Sequence, residues 1–385
     1  YIQENGIHTV FEGDDLADRV GHGTEMAGIA LYNDLNYHLV SQEDISIPYR
    51  LESSKILRNQ SNQPELYGAI TKQGILLQEV ENPNKNRSVC MAITTSLDSD
   101  NFGVPTSWSA AIDEFLADFK DNAKRLMYIS AGNVSPFELQ DISYPHVNIN
   151  SSIENPGQSW NAVTVGAYNS KIQICDSALV DYQPIAEVDA LSPYSKTSNM
   201  WENKWPIKPE ILMDGGNIAK KDNFYTECDD LSLLTTNHNI SENLFSTIWA
   251  TSSATAQASK LSAEIYCQYP TAWPETIRAL MVHSARWTDK MREQFLPNHN
   301  PNKSEIRHLL RTCGYGIPNF ERAVSCKNNY VNMIIEEELQ PFKVNSNGNI
   351  VMNELHIHKL PWPKEVLESL DNEIVELRVT LSYYI

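Results

Sequence analysis

Short apolar runs rich in β-branched and small residues alternate with segments of helical period along most of this chain, the pattern expected of parallel βαβ units. Cys90-Met91-Ala92-Ile93-Thr94-Thr95 reads as a buried strand. Residues 107–116 follow as a helix, with Thr106 or Ser107 as its N-cap. Residues 125–130 read as the next strand, running directly into Ala131-Gly132-Asn133, and 160–167 read as another. A helix of small and medium residues is expected from Ser252 to about Tyr266. A further one spans 274–283, opened by Pro274 in its first turn. The stretches 134–159 and 217–243, rich in Asn, Ser, Asp and Pro, read as long surface excursions. The fold class is therefore α/β, a mostly parallel sheet flanked by helices, with a main domain over 1–325. Past that point the pattern turns to strands with Gly and Pro punctuation, so 326–385 reads as the start of a β-rich domain. Its last residues, 376–385, look like a strand that stops in mid-course.

Composition narrows the partners. Hydrophobic residues make up 41% and charged residues 21%, enough for a sizeable core. No apolar run approaches the roughly 18 residues needed to cross a bilayer, so no membrane partner is expected. A net charge of -19 disfavours nucleic acid, whose phosphates require a basic footprint. The six cysteines, at 90, 175, 228, 267, 313 and 326, form no CxxC pairs. They read as buried free thiols of a reducing compartment, which leans the location towards the cytoplasm, with secretion as the alternative. The first residue is Tyr1 and no signal peptide is visible. Together with the interrupted final strand, this reads as a piece of a longer polypeptide.

Three distant segments carry the candidate chemistry. Ser252 stands where a loop meets a helix of small residues, a place where free N–H groups and a partial positive charge favour an oxyanion. His22 opens His22-Gly23-Thr24-Glu25-Met26-Ala27-Gly28, whose small residues suit a close-packed helix. A serine hydroxyl needs such a base, because its own pKa is far too high for attack at neutral pH. Asn133 ends a strand after Ala131-Gly132, where the missing Cβ lets a substrate approach while the side-chain amide offers a donor. Each feature taken singly has an ordinary structural explanation: a Ser/Thr-capped helix, a packed histidine, a Gly-Asn turn.

Taken together, the segments resemble the subtilisin-like serine peptidases, the subtilase family. Residues 22–28 match its H-G-T-x-x-A-G segment at every specified position, and 131–133 match its A-G-N. Its G-T-S-x-A-x-P appears as Ala250-Thr251-Ser252-Ser253-Ala254-Thr255-Ala256, with alanine replacing both glycine and proline. Leu191-Ser192-Pro193-Tyr194-Ser195, Ile207-Lys208-Pro209-Glu210-Ile211 and Gly314-Tyr315-Gly316-Ile317-Pro318-Asn319 resemble further segments, so the likeness covers roughly 1–325. The resemblance implies a subtilisin-like fold and a serine endopeptidase acting on polypeptide. Ser252 would be the nucleophile, His22 the general base, and Asn133 a donor of the oxyanion hole. It also implies a peptide-pairing edge at Thr94, Thr95 and Ser96. Ser130, Ala131 and Gly132 would form one wall of the pocket for the residue before the scissile bond. No cofactor is expected; many subtilases carry structural calcium, but no segment here has calcium-ligand spacing.

The family's orienting aspartate lies on an early strand well ahead of the histidine. Only 21 residues precede His22, and their aspartates Asp14, Asp15 and Asp18 sit in a polar segment that reads as a loop. The expectation is therefore that this carboxylate belongs upstream of Tyr1 and that the chain alone is poorly active. The lost strand would leave part of the sheet unpaired. Two other readings compete with this one. A subtilase-fold pseudopeptidase that only binds peptide or protein is suggested by Ala250, Ala256 and the missing aspartate. An esterase of the α/β-hydrolase kind is opposed by the absent G-x-S-x-G elbow and by the chain order of the residues. The ten histidines show no HExxH arrangement of a metal enzyme.

Overall fold

The computed structural model describes residues 2–41, 44–58, 62–97, 102–118, 123–298, 300–324, 333–360, 364–371 and 376–385. The chain opens with β1 (Ile2–Thr9), then an acidic loop leads into α1 (His22–Tyr32) and α2 (Leu35–Ser41). Next, β2 (Leu51–Lys55) lies parallel to β1, with Ile7 opposite Ser53 and Thr9 opposite Lys55. After α3 (Tyr67–Glu81) come β3 (Ser88–Met91), α4 (Ser107–Ala117), β4 (Leu126–Ser130), the short α5 (Glu138–Asp141) and α6 (His146–Asn150), and β5 (Val163–Tyr168). The two-residue β6 (Gln183–Pro184) precedes β7 (Ile211–Asp214). The central sheet has the order β3-β4-β5-β7 and is parallel throughout.

Two-residue periodicity divides the core. Along β4, Leu126 and Tyr128 point to one face of the sheet and Met127 and Ile129 to the other, all fully buried. The second face is covered by Trp108, Ile112, Phe115 and Leu116 of α4 and Ile75 of α3. The first is covered by α7 (Ala250–Gln268) and α8 (Pro274–Ser284), through Ala254, Ala258, Leu261, Ile265, Ile277 and Met281. Before α7 the chain forms β8 (Ala219–Lys221) and β9 (Phe224–Thr226), which build a small antiparallel sheet with β6. It then makes the hairpin of β10 (Leu233–Thr236) and β11 (Phe245–Ile248). Beyond α8 lie α9 (Asp289–Phe295), α10 (Lys303–Cys313) and α11 (Phe320–Val324). The antiparallel pair β12 (Phe342–Val344) and β13 (Ile350–Met352) and the helix α12 (Lys364–Ser369) follow.

The α/β class, the parallel sheet and the strand-bearing C-terminal region match the reading of the sequence. The helix at 107 starts as expected, because Thr106 and Ser109 form a reciprocal capping box. Several expectations are corrected. The strand expected over 90–95 is β3 and ends at Met91; Thr95 makes only an isolated bridge to Asn155. The stretch 134–159 is a surface excursion only in part: 137–138 and 140–143 are exposed, but Val134, Leu139, Val147, Ile153 and 155–159 are buried. Its polar residues go inside because they satisfy backbone groups: the Asn148 amide donates to the carbonyls of Ser192, Pro193 and Ser195. Residues 217–243 are divided: Asn217, Ile218 and Ala219 are buried and the β10–β11 hairpin is laid on α1, while 221–224, 229–230 and 240–243 are exposed as expected. Residues 376–385 form no strand. They run along the body, where Arg378 donates to Ala285 O, Tyr384 OH to Arg125 O and Ile385 N to Asn161 Oδ1. The parallel pair of β1 and β2 has no counterpart in the sequence pattern described above. Cys90, Cys175, Cys228, Cys267 and Cys313 are free thiols, but only Cys228 and Cys313 are fully buried and Cys175 and Cys267 are exposed. Cys326, and the boundary placed at 325/326, lie outside the described residues.

Candidate active site

The start of helix α7 lies against the end of β7, and two hydrogen bonds to β7-end carbonyls hold it there. Ala250 N donates to Gly215 O at 2.7 Å, and Gln257 Nε2 donates to Asp214 O at 2.6 Å. Ala250 takes a positive φ of 65°, a conformation that suits the glycine found there in the family motif. The three hydroxyls that follow are treated differently. Thr251 Oγ1 bonds to Asn133, and Ser253 Oγ donates to Asp214 O and Ala250 O. Ser252, partly exposed between them, has no hydrogen-bond partner among the described residues. Its position in the first turn of a 19-residue helix places unpaired N–H groups beside it.

Asn133 leaves the end of β4 through Gly132, whose φ is +87°. Its carboxamide oxygen accepts from Thr251 N at 3.0 Å and from Thr251 Oγ1 at 2.6 Å. Both bonds require oxygen at that end, so the NH2 of Asn133 points the other way, on an exposed residue. Two segments 118 positions apart are thereby joined next to Ser252.

His22 is the first residue of α1. Asp18 fixes that helix start: its Oδ1 accepts from Gly21 N at 2.8 Å and Val20 N at 3.1 Å, and its Oδ2 from Thr24 N and Thr24 Oγ1, both at 2.8 Å. Burial pushes the Asp18 carboxyl up, but these four bonds outweigh it and hold the pKa down at about 2. Asp18 thus caps the helix rather than bonding to the imidazole. Asp14 and Asp15 pair with Lys55 of β2, and Asp15 also with Arg19. For His22 itself, burial pushes the pKa below its ordinary value, with the carboxylates of Glu25 and Asp18 acting in the opposite sense. Among the described residues no carboxylate hydrogen-bonds His22, and no hydrogen bond joins His22 to Ser252. Their helices do pack together, through Ile29 of α1 and Ala256 of α7, with Leu233 and Ile248 of the hairpin closing the cluster. Gly28 allows the hairpin to lie close on α1: a Cβ there would lie 2.2 Å from Thr235 Oγ1 and 2.5 Å from Thr236 Oγ1 of β10.

The residues expected to hold substrate fall into two neighbouring stretches. Thr94 and Thr95 are partly buried and Ser96 is exposed; Thr95 N is already engaged by Asn155 O at 2.9 Å. Ser130, Ala131 and Gly132 are buried, and Ala131 O accepts from Glu154 N at 3.0 Å. Two nearby residues escaped the sequence reading. Glu154 lies against both stretches, and His238 packs over Gly21, where a Cβ would meet its Nδ1 at 2.7 Å. Neither sits in a recognisable motif, so only the folded chain reveals them. As for metals, Glu337, His356 and His358 bring three ligating atoms within 4.8 Å of one another, the single such group among the described residues. All three are exposed on the β12–β13 region, and Glu337 is already paired with His356 at 2.5 Å.

The chain belongs to the subtilase family: the Peptidase_S8 family model matches residues 1–316. A curated relative, the uncharacterized protein y4bN of Sinorhizobium fredii (strain NBRC 101917 / NGR234), is 23% identical over 294 residues, covering 72% of this chain. The chain spans 62% of the length of that relative. Among solved structures, a lanthipeptide protease is similar with a TM-score of 0.49 and 17% identity, covering 84% of this chain and 80% of its own. The epidermin leader peptide processing serine protease of Staphylococcus aureus is similar with a TM-score of 0.47 and 16% identity, covering 83% and 66%.

Proposed function

We propose that this protein is a serine endopeptidase that cleaves polypeptides through an acyl-enzyme on Ser252. In this reading Ser252 Oγ attacks the peptide carbonyl while His22 accepts its proton. The negative oxygen that develops is met by the Asn133 NH2 and the Ser252 backbone N–H. His22 then passes the proton to the leaving amine, and water releases the acyl group by the same steps in reverse. The observation that carries the reading is the double hydrogen bond from Thr251 to Asn133 Oδ1, which leaves the amide nitrogen free beside an unpartnered serine. The downward shift of His22 also suits a base, since a neutral imidazole is needed at pH 7. The lack of a hydrogen bond between His22 and Ser252 among the described residues is compatible with the role, because catalytic hydrogen bonds often tighten only when substrate binds.

The peptidase unit in this reading is 1–325, with 326–385 as an added segment, and free thiols favour a reducing, cytoplasmic setting. The test is labelling with a fluorophosphonate probe, comparing the chain with Ser252→Ala and His22→Ala. Labelling that disappears in Ser252→Ala supports the reading. A folded chain that takes no label would overturn it in favour of a peptide-binding, non-cleaving role.

A further inference from the structure

Glu154 touches both stretches that flank the expected substrate position. Its Cγ, Cδ and Oε2 each lie 2.7 Å from the point where Gly132 would carry a Cβ, so the carboxyl end occupies the space this glycine leaves open. Oε2 also accepts a hydrogen bond from the Thr94 hydroxyl. The backbone fixes this register, because Glu154 N donates to Ala131 O and the next carbonyl, Asn155 O, accepts from Thr95 N. The other oxygen, Oε1, is 2.9 Å from Lys196 Nζ, and the two side chains are 15% and 12% exposed. The pair is shielded from solvent but not sealed.

We propose that Glu154 is a specificity-determining residue, whose carboxylate receives a basic side chain, arginine or lysine, at the substrate residue preceding the scissile bond. The inference rests on the reading above, in which 94–96 and 130–132 flank that residue. Position decides the sign. Oε2, not the Lys196 ammonium, lies against Gly132, so an entering side chain meets the carboxylate first. An aliphatic side chain would strip water from this partly buried ion pair and offer no compensation. An acidic one would meet like charge. A guanidinium brings five donors, and a carboxylate accepts about four hydrogen bonds, two of which Thr94 and Lys196 use. Arginine can therefore join the site while Thr94 and Lys196 keep their bonds.

Two measurements test this. The first compares kcat/KM for matched fluorogenic peptides that differ only in having Arg, Leu or Glu before the scissile bond. The second follows binding of benzamidine, an arginine side-chain mimic, to the Ser252→Ala chain by calorimetry, which needs no turnover. Arg is expected to exceed Leu by about 10–100-fold, and the isosteric Glu154→Gln to bring that ratio near one. Benzamidine binding should vanish in Glu154→Gln and strengthen in Lys196→Ala, where the competing internal cation is gone. A preference for Leu or Glu, or benzamidine binding indifferent to both substitutions, would overturn the assignment. Labelling of Ser252 combined with an Arg-to-Leu ratio and benzamidine binding that do not change in Glu154→Gln sinks this inference alone. Benzamidine binding that depends on Glu154 in a chain that never labels sinks the catalytic reading alone.

Discussion

Thr251 donates twice to Asn133 Oδ1, from its backbone N–H at 3.0 Å and from its hydroxyl at 2.6 Å. The amide of Asn133 is thereby held in one orientation, with its NH2 turned out beside Ser252. If that NH2 serves the oxyanion, Asn133→Ala should lower kcat by about 10²–10³ while KM changes little, because the donor acts on the transition state. Thr251→Val keeps the backbone donor but removes the hydroxyl, so its loss should be smaller and confined to kcat. Steady-state kinetics on a peptide substrate separates these outcomes. An Asn133→Ala chain with wild-type kcat would remove Asn133 from the mechanism.

His22 governs the expected pH dependence. Burial lowers its pKa from the ordinary 6.5, so the imidazole is neutral at pH 7 and becomes protonated only at more acidic pH. The rate of fluorophosphonate labelling should be level above pH 7. It should fall by about tenfold per unit below the folded-state pKa, with a midpoint under 6.5. The stability effect has the same direction. The unfolded chain takes up this proton first, so the folded state loses stability as pH drops below 6.5, and His22→Gln should flatten that part of the curve.

Asp18 acts on the same histidine at one remove. Its four hydrogen bonds begin α1, and Asp18→Ala should cost about 1–2 kcal/mol in chemical denaturation, the range for a lost helix cap. Since its folded pKa is about 2 and the ordinary value 3.8, its contribution is complete above pH 4 and is lost as pH falls towards 2. The wild-type chain should show that acid loss and Asp18→Ala should not.

The close approach at Gly28 is a third point of control. A methyl group there would collide with both hydroxyls that tie the hairpin to α1, Thr235 Oγ1 to Glu25 O and Thr236 Oγ1 to Thr24 O. Gly28→Ala should cost about 1–3 kcal/mol, the range for overpacking, and should slow labelling by shifting His22 with its helix. An unchanged melting temperature would mean that the hairpin yields freely.

Much of this was legible from the sequence because it rests on local rules. Thr106 announces the start of α4, Pro274 that of α8, and the run 125–130 a strand. The family motifs likewise singled out His22, Asn133 and Ser252 as the candidate residues without coordinates. What stayed hidden depends on partners far away in the chain. Asn148 reads as a loop residue until the carbonyls of 192–195 arrive to receive its amide. Glu154 reads as one acid among 49 Asp and Glu until Gly132 and Thr94 are folded against it. Asp18 invited comparison with an orienting aspartate, but a polar loop just before a helix is also where a cap belongs, and capping is what it does.

Ala250 bears on whether departures from the family motif carry functional weight. It replaces the glycine of G-T-S, yet it keeps a backbone that suits glycine, with φ at 65°. Three terms set the effect of restoring glycine. Relief of the left-handed conformation returns about 1–2 kcal/mol. Greater freedom of the unfolded chain takes back about 0.5–1 kcal/mol. The methyl, only 4% exposed and packed with Val134 and Tyr194, is worth about 0.8 kcal/mol when buried. These nearly cancel, so Ala250→Gly should leave stability within about 1 kcal/mol of wild type and the labelling rate unchanged. A β-branched side chain cannot take this backbone without larger strain, so Ala250→Val should destabilise the protein and slow labelling together. The alanine is then a neutral replacement at a conserved geometry, and Ser252 keeps its setting at the head of α7. Should Ala250→Gly instead raise the labelling rate many-fold, the alanine would be a brake on catalysis and the motif's glycine would matter to the reaction itself.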